Sequence, residues 1–286
     1  MNNLLLHCGD AFERLKEIPA HSVDLILTDP PYGTTNFKWD TNLDLSAFWA
    51  EIERIRKPNA PAVIFSSTLF TFSLYNSNPK EYRYRFIWHK QGVAPVGFLD
   101  AKKKPLHAYE EISVFYAKQP TYNPQFVFCE RRRVKNWTTG TSYFKPVRHD
   151  PNKPLHGYTD RYYPTDILTF KALHGLKRKH PNQKPVELLQ WLIKTYTNAG
   201  DVVCDPFMGS GSCGVAAIST GRDFIGVEKD QEYFEAACQW INNTPPFSTA
   251  GENVPFDEAI SELETETETE PPDTLGQLSL FGPVGS

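Results

Sequence analysis

Val23-Asp24-Leu25-Ile26-Leu27-Thr28-Asp29-Pro30-Pro31-Tyr32 reads as a buried strand that stops on a rigid corner. A short apolar run bounded by turn residues suits a strand covered on both faces, as in a parallel sheet. The two prolines fix φ and remove two N–H donors, so the carbonyls around them are held as acceptors. In such a sheet ligands gather at the carboxyl ends of the strands. An amino group brought to this corner has two partners, the Asp29 carboxylate and the Pro30 carbonyl. Tyr32 adds a flat face for a planar ring. Asp-Pro-Pro is also ordinary turn chemistry, so the tetrapeptide alone does not separate a binding corner from a strand-ending turn.

Working outward, strand and helix patterns alternate on both sides. Leu4-Leu5-Leu6 predicts a strand, residues 11–18 a short amphipathic helix, and 44–57 a helix with Leu45, Phe48, Ile52 and Ile55 on one face, ended by Pro58. Ala62–Phe65, Arg85–Trp88 and Ile112–Tyr116 predict further strands. The rhythm breaks over 118–180, which is rich in Pro, Tyr, Arg and Lys and reads as an irregular insertion. It resumes at Pro185, a good first helical residue. There follow a helix over 186–198, a strand over 201–205, a Gly-rich turn, a helix over 212–219, a strand over 223–228 and a helix over 230–242. This pattern predicts an α/β protein with a doubly wound, mostly parallel sheet. Its expected parts are 1–117, an insertion at 118–180, a second half of the same domain at 181–244, and an acidic, disordered tail at 245–286.

Charge is unevenly spread. The chain is −4 overall, yet residues 245–286 hold nine acidic residues and no Lys or Arg, leaving 30 basic against 25 acidic residues before them. Residues 118–184 carry 14 Lys/Arg, four Asp/Glu and ten aromatic residues. A basic stretch interleaved with aromatics suits phosphate contact and base stacking better than a plain solvated face. The five cysteines (Cys8, Cys129, Cys204, Cys213, Cys238) form no CxxC, so neither a zinc site nor a disulfide framework is expected. No apolar run is long enough to cross a membrane, and the N-terminus lacks the features of a signal peptide. We therefore expect no metal, no membrane association and a cytoplasmic location.

A second motif, Asp205-Pro206-Phe207-Met208-Gly209-Ser210-Gly211-Ser212, joins a strand to a helix. Its glycines permit a tight turn and close approach of a ligand to the backbone. Gly209-x-Gly211-x-x-Gly214 also satisfies GxGxxG, a weak signal alone. Glu228 ends the next strand, where a carboxylate accepts hydrogen bonds from ribose hydroxyls. This motif points to an adenosine-containing cofactor without saying which. A nicotinamide enzyme has no use for the Asp-Pro-Pro-Tyr corner, whereas a methyltransferase acting on a base amino group needs both motifs.

At this point the chain resembles the amino-methylating DNA methyltransferases that carry DPPY and a DPFxGSGS-type loop. The motif order, with the basic insertion between, is that of their permuted β-class, and the resemblance spans residues 4–242. It implies a permuted S-adenosylmethionine-dependent methyltransferase fold with 118–180 as target-recognition insertion. It implies that Asp205, Phe207, Gly209 and Gly211 line the methionine part of S-adenosylmethionine, that Glu228 holds the ribose and that Asp10 lies near the adenine. Asp10 also reads as a helix N-cap. Lys184, in Asn182-Gln183-Lys184-Pro185, is a candidate for the cofactor carboxylate or a plain surface lysine. Asp29, Pro30, Pro31 and Tyr32 form the catalytic corner, acting on a base flipped out of duplex DNA. Arg131, Arg132, Arg133 and Lys135 are candidates for phosphate contact or guanine reading. Phe37 and Trp39 lie on a polar loop that closes over DNA or simply packs. An Asp at the first motif position leans to N6 of adenine, with N4 of cytosine as the alternative. None of the five cysteines follows a proline, against 5-methylcytosine chemistry. A nicotinamide-dependent oxidoreductase using the GxGxxG, methylation of RNA or of a protein glutamine amide, and DNA binding without catalysis stay open.

Within the tail, Gln277-Leu278-Ser279-Leu280-Phe281 looks like the peptide with which bacterial replication and repair proteins dock on the sliding clamp. Leu280 and Phe281 would fill an apolar pocket and Gln277 would supply a polar anchor, alongside Leu278. We expect a bacterial or phage-encoded protein, monomeric or homodimeric.

Overall fold

The computed structural model describes residues 3–33, 43–133, 158–173 and 183–247, with no account of side chains at 68, 128–133 and 158–161. Lys135, Phe37, Trp39 and the peptide Gln277, Leu278, Leu280, Phe281 lie outside the described residues. So does Asn182.

In chain order the elements are β1 (Leu4–Cys8), α1 (Ala11–Leu15), β2 (Leu25–Thr28), α2 (Leu45–Ile55), β3 (Ala62–Ser66), α3 (Thr68–Ser77) and β4 (Tyr82–Gln91). A 3-10 turn (Phe98–Asp100), β5 (Tyr109–Phe115), β6 (Val127–Arg133), β7 (Tyr158–Tyr162) and β8 (Ile167–Lys171) follow. The last are α4 (Val186–Tyr196), β9 (Val202–Asp205), α5 (Ser212–Ser219), β10 (Asp223–Glu228) and α6 (Gln231–Asn242). Eight strands form one sheet in the order β1-β10-β9-β2-β3-β5-β4-β8. Every pairing is parallel except those of β5 with β3 and β4. The two late strands β9 and β10 thus insert between the two earliest, β1 and β2.

Side-chain alternation along the strands fills two cores, one on each face. Leu25, Leu27, Val63 and Phe65 point to the face covered by α4, α5 and α6, with Leu189, Leu192, Ile193 and Ala217. Ile26, Ala62 and Ile64 point to the other, with Leu15 of α1, Phe48 and Ile52 of α2, and Phe70 and Leu74 of α3. That two-sided burial accounts for the uninterrupted apolar strands of the sequence. Helix starts follow local capping, with Asp10, Asp44 and Asp230 accepting from the first-turn amides of α1, α2 and α6. Pro185 stands at the N-cap of α4 instead of its first turn.

Two expectations need revision. Helix α3 has no counterpart in the sequence reading, because its apolar residues ring the axis. Leu69, Phe72 and Tyr75 face out while Phe70 and Leu74 are buried. The described parts of 118–180 are also more regular than expected. β6 and β7 form an antiparallel ribbon, and β8 joins the main sheet beside β4. Among the described residues no helix is long and apolar enough to cross a membrane.

Candidate active site

Four neighbouring parallel strands, β1, β10, β9 and β2, end at one edge of the sheet and open a cavity of about 270 Å³. Gly9 and Asp10 follow β1, Asp29 to Pro31 follow β2, Pro206 to Ser210 follow β9, and Glu228 to Asp230 end or follow β10; all line the cavity. Phe207 lines it as well and stacks on Phe48 at 6.4 Å between centroids. The two motifs read from the sequence therefore share one chamber. They also touch, since the Thr28 hydroxyl donates to the buried Asp205 carboxylate at 2.6 Å.

Each carboxylate has a defined setting. Asp205 is 5% exposed and also accepts from the Phe207 amide at 3.1 Å. Burial pushes its pKa up to about 7, with Asp29 and Glu228 adding to the rise against the two hydrogen bonds. Glu228 accepts from the Gly209 amide at 2.9 Å and from the Asp230 amide at 2.8 Å. Burial raises its pKa above the ordinary value. Asp10 caps α1 through the Phe12 amide at 3.0 Å and faces Lys229 at 3.4 Å.

Asp29 is gripped from two sides. The Tyr32 hydroxyl donates to one carboxylate oxygen at 2.5 Å and the Lys184 ammonium donates to the other. Tyr32 is itself seated, its ring stacked on Phe70 at 4.8 Å and 26°. Lys184 is buried and continues to Glu110 at 3.3 Å, and Glu110 pairs with Lys90 at 2.5 Å. The Lys184 ammonium also lies 5.1 Å above the Phe65 ring. Burial alone would lower the Lys184 pKa, but Asp29 and Glu110 lift it above the ordinary value, so the ammonium stays charged. For Glu110 the two lysines outweigh burial and lower its pKa. Burial raises Asp29, aided by Glu110 and opposed by Lys184 and Tyr32.

Across residues 23–239 the sequence matches the family model described as a DNA methylase. Chain and family share more than the motifs. A DNA adenine methyltransferase of Escherichia coli K12, YhdJ, is 32% identical over 256 residues, covering 84% of this chain and 83% of that protein. The chain belongs to the DNA methylase family. The type II methyltransferase M.HpaI of Haemophilus parainfluenzae is 29% identical over 258 residues, 83% of this chain and 74% of that one. The crystal structure of the M1.HpyAVI–SAM complex superimposes on this methylase with a TM-score of 0.57 at 26% identity, covering 84% of this chain and 99% of that one. The cytosine-N4-specific PvuII DNA methyltransferase shares the fold, with a TM-score of 0.61 at 18% identity over 93% and 92% of the chains.

In this methylase Asp10, Asp29, Pro30, Pro31, Lys184, Asp205, Phe207, Gly209 and Glu228 all line the one cavity. Gly211 sits one step back. It is the N-cap of α5, with φ +82, and a Cβ there would meet Ala237 at 2.9 Å. Tyr32, expected as a stacking face, has its hydroxyl on Asp29 and its ring on Phe70. Lys184, expected at a cofactor carboxylate, is engaged by Asp29 and Glu110. Arg131, Arg132 and Arg133 lie on β6, where Arg132 pairs with Thr159 and Arg133 with Tyr158. The sequence reading passed over Glu110 and Lys90. No local pattern marks them, and only the pairing of β4 with β5 brings them to Lys184.

Proposed function

We propose that this DNA methyltransferase moves a methyl group from S-adenosylmethionine to N6 of a flipped adenine in duplex DNA. The observation that carries the reading is the Asp29 carboxylate, held by Lys184 and Tyr32 in the same chamber as Asp205 and Glu228. The similarity to a DNA adenine methyltransferase supports adenine over cytosine.

The cavity suits this cofactor on its own chemistry. Asp10, Asp29, Asp205, Glu228 and Asp230 face Lys184 and Lys229, a net acidic lining. That favours a ligand with cationic centres and disfavours the pyrophosphate of a nicotinamide dinucleotide. When bound, S-adenosylmethionine supplies the activated methyl group. Glu228, fixed by two backbone amides, keeps lone pairs for ribose hydroxyls. Asp205, beside Phe207 and the glycine turn, would face the cationic methionine end.

An adenine amino nitrogen is a weak nucleophile because its lone pair is delocalised into the ring. Asp29 and the Pro30 carbonyl accept its two hydrogens and draw that lone pair out of the ring plane. Lys184 opposes the burial that raises the Asp29 pKa and fixes the carboxylate in place, and Glu110 with Lys90 holds Lys184. Catalysis then comes from positioning and preorganised electrostatics.

The test is methylation of mixed-sequence DNA with labelled cofactor, read by nucleoside mass spectrometry. N6-methyladenosine is expected, and it should vanish in Asp29→Ala while cofactor binding persists. N4-methylcytosine would overturn the base assignment, and near-wild-type turnover in the variant would overturn the mechanism. From sequence alone, we also propose that Gln277, Leu278, Leu280 and Phe281 dock on a bacterial sliding clamp.

A further inference from the structure

The connection between β4 and β5 stands at the catalytic edge and has no role so far. β4 runs parallel to β3 and β2, so its end and the start of β5 lie on the side that carries Asp29. Three strand spacings, roughly 14 Å, separate β4 from β2. The ion-pair chain Lys90–Glu110–Lys184–Asp29 crosses that interval. Residues 92–107 therefore form a finger rooted directly on the catalytic network.

The finger is held by its own backbone hydrogen bonds and its tip is apolar. Val96 and His107 exchange two backbone hydrogen bonds, at 2.9 and 3.0 Å, that close its base. Gly97, at φ +101, turns the chain into the 3-10 turn. The Lys103 and Lys104 amides then bond back to the Asp100 carbonyl at 2.7 and 3.0 Å. Phe98 is 64% exposed and Leu99 fully so. One exposed Leu needs no explanation, but an adjacent Phe-Leu pair on a fixed turn does. Behind it stand three exposed lysines, Lys102, Lys103 and Lys104, set against one carboxylate, Asp100, at 3.4 Å from Lys104. An apolar tip with a cationic shoulder complements a base stack flanked by phosphates.

We propose that this finger enters duplex DNA. Phe98 and Leu99 fill the gap in the stack left by the flipped base, and Lys102, Lys103 and Lys104 hold the flanking phosphates. The proposal rests on the DNA-methylating reading above. It adds a second DNA-contacting element to the one expected in 118–180.

The test uses the full-length protein. Sequencing of methylated mixed-sequence DNA first locates the target. Two duplexes are then compared, one fully paired and one with the target base mispaired, which makes opening easier. Phe98→Ala/Leu99→Ala is expected to lose about tenfold or more in turnover on the paired duplex and to recover most of it on the mispaired one. Its melting temperature and cofactor affinity should match the wild type. Replacing the three lysines with alanine should weaken binding to all duplexes and flatten the plot of log affinity against log salt by about two to three. Wild-type turnover of the double variant on the paired duplex overturns the wedge, as does an equal loss on both duplexes. A change in its sedimentation overturns it too, by making the tip a contact between copies. If the wild type methylates no DNA, the underlying reading falls instead.

Discussion

Asp205 is the residue whose chemistry reaches furthest. Its pKa of about 7, against an ordinary 3.8, means that the folded, ligand-free protein holds a proton there that the unfolded chain has released. Stability of the ligand-free protein should therefore fall as pH rises from about 4 to 7, by at most about 4 kcal/mol from this group. A cationic ligand reverses the preference and favours the carboxylate. Binding of S-adenosylmethionine near pH 7 should thus release up to about one proton and tighten as pH rises through 7. Calorimetry in two buffers of different ionisation enthalpy measures the release, and Asp205→Asn should lower it, leaving only what Asp29 and Glu228 contribute. Equal release in wild type and variant would refute this account. At this scale the sequence was legible where a side chain sits in a local run that shapes it. Asp29 between a strand and two prolines, and Asp205 before a glycine turn, are such cases. Glu110 is not, because its partners Lys184 and Lys90 are supplied by other strands and loops.

Among the elements, α5 shows how the glycine turn before it is also a packing device. Gly211 has φ +82, and a Cβ there would lie 2.9 and 3.1 Å from the Cβ and Cα of Ala237 in α6. At Gly214 a Cβ would lie 2.5 Å from Ile241 and 2.8 Å from Phe224. These glycines let α5 settle between α6 and β10. Gly209 does different work, its amide fixing Glu228. Gly211→Ala should therefore destabilise the fold by about 2–3 kcal/mol, from left-handed strain and overpacking together. A melting temperature within a degree of wild type would contradict this. Elements with a clear period, such as α2, α4 and β10, were legible within a residue or three. Helix α3 was not, since threonine, serine and aromatic residues surround its axis, and β8 was not, since its basic, aromatic surroundings mask a strand that only the neighbouring β4 ladder reveals.

For the whole molecule, the order of motifs was legible because it follows the chain. The place of the two late strands was not, because only sheet pairing sets it. The described fold closes at Phe247, whose ring packs on the Gly221 turn. The clamp-docking proposal concerns residues beyond it, so catalysis and docking should separate. Leu280→Ala/Phe281→Ala in the full chain should abolish retention on immobilised clamp and leave methylation of mixed-sequence DNA unchanged. Equal retention would dismiss the docking peptide.

The insertion of β9 and β10 between β1 and β2 has a further consequence, for biosynthesis. Among the described residues β1 forms a ladder with β10 alone, and β2 gains its second neighbour only from β9. Until β9 and β10 have been made, the middle of the sheet is missing and β1 has no ladder partner. Such late, non-local closure is slow and leaves strand edges exposed to wrong partners. Termination before β10 is therefore expected to leave β1 unpaired and β2 with one neighbour, a chain that limited proteolysis should cut faster than the full-length protein.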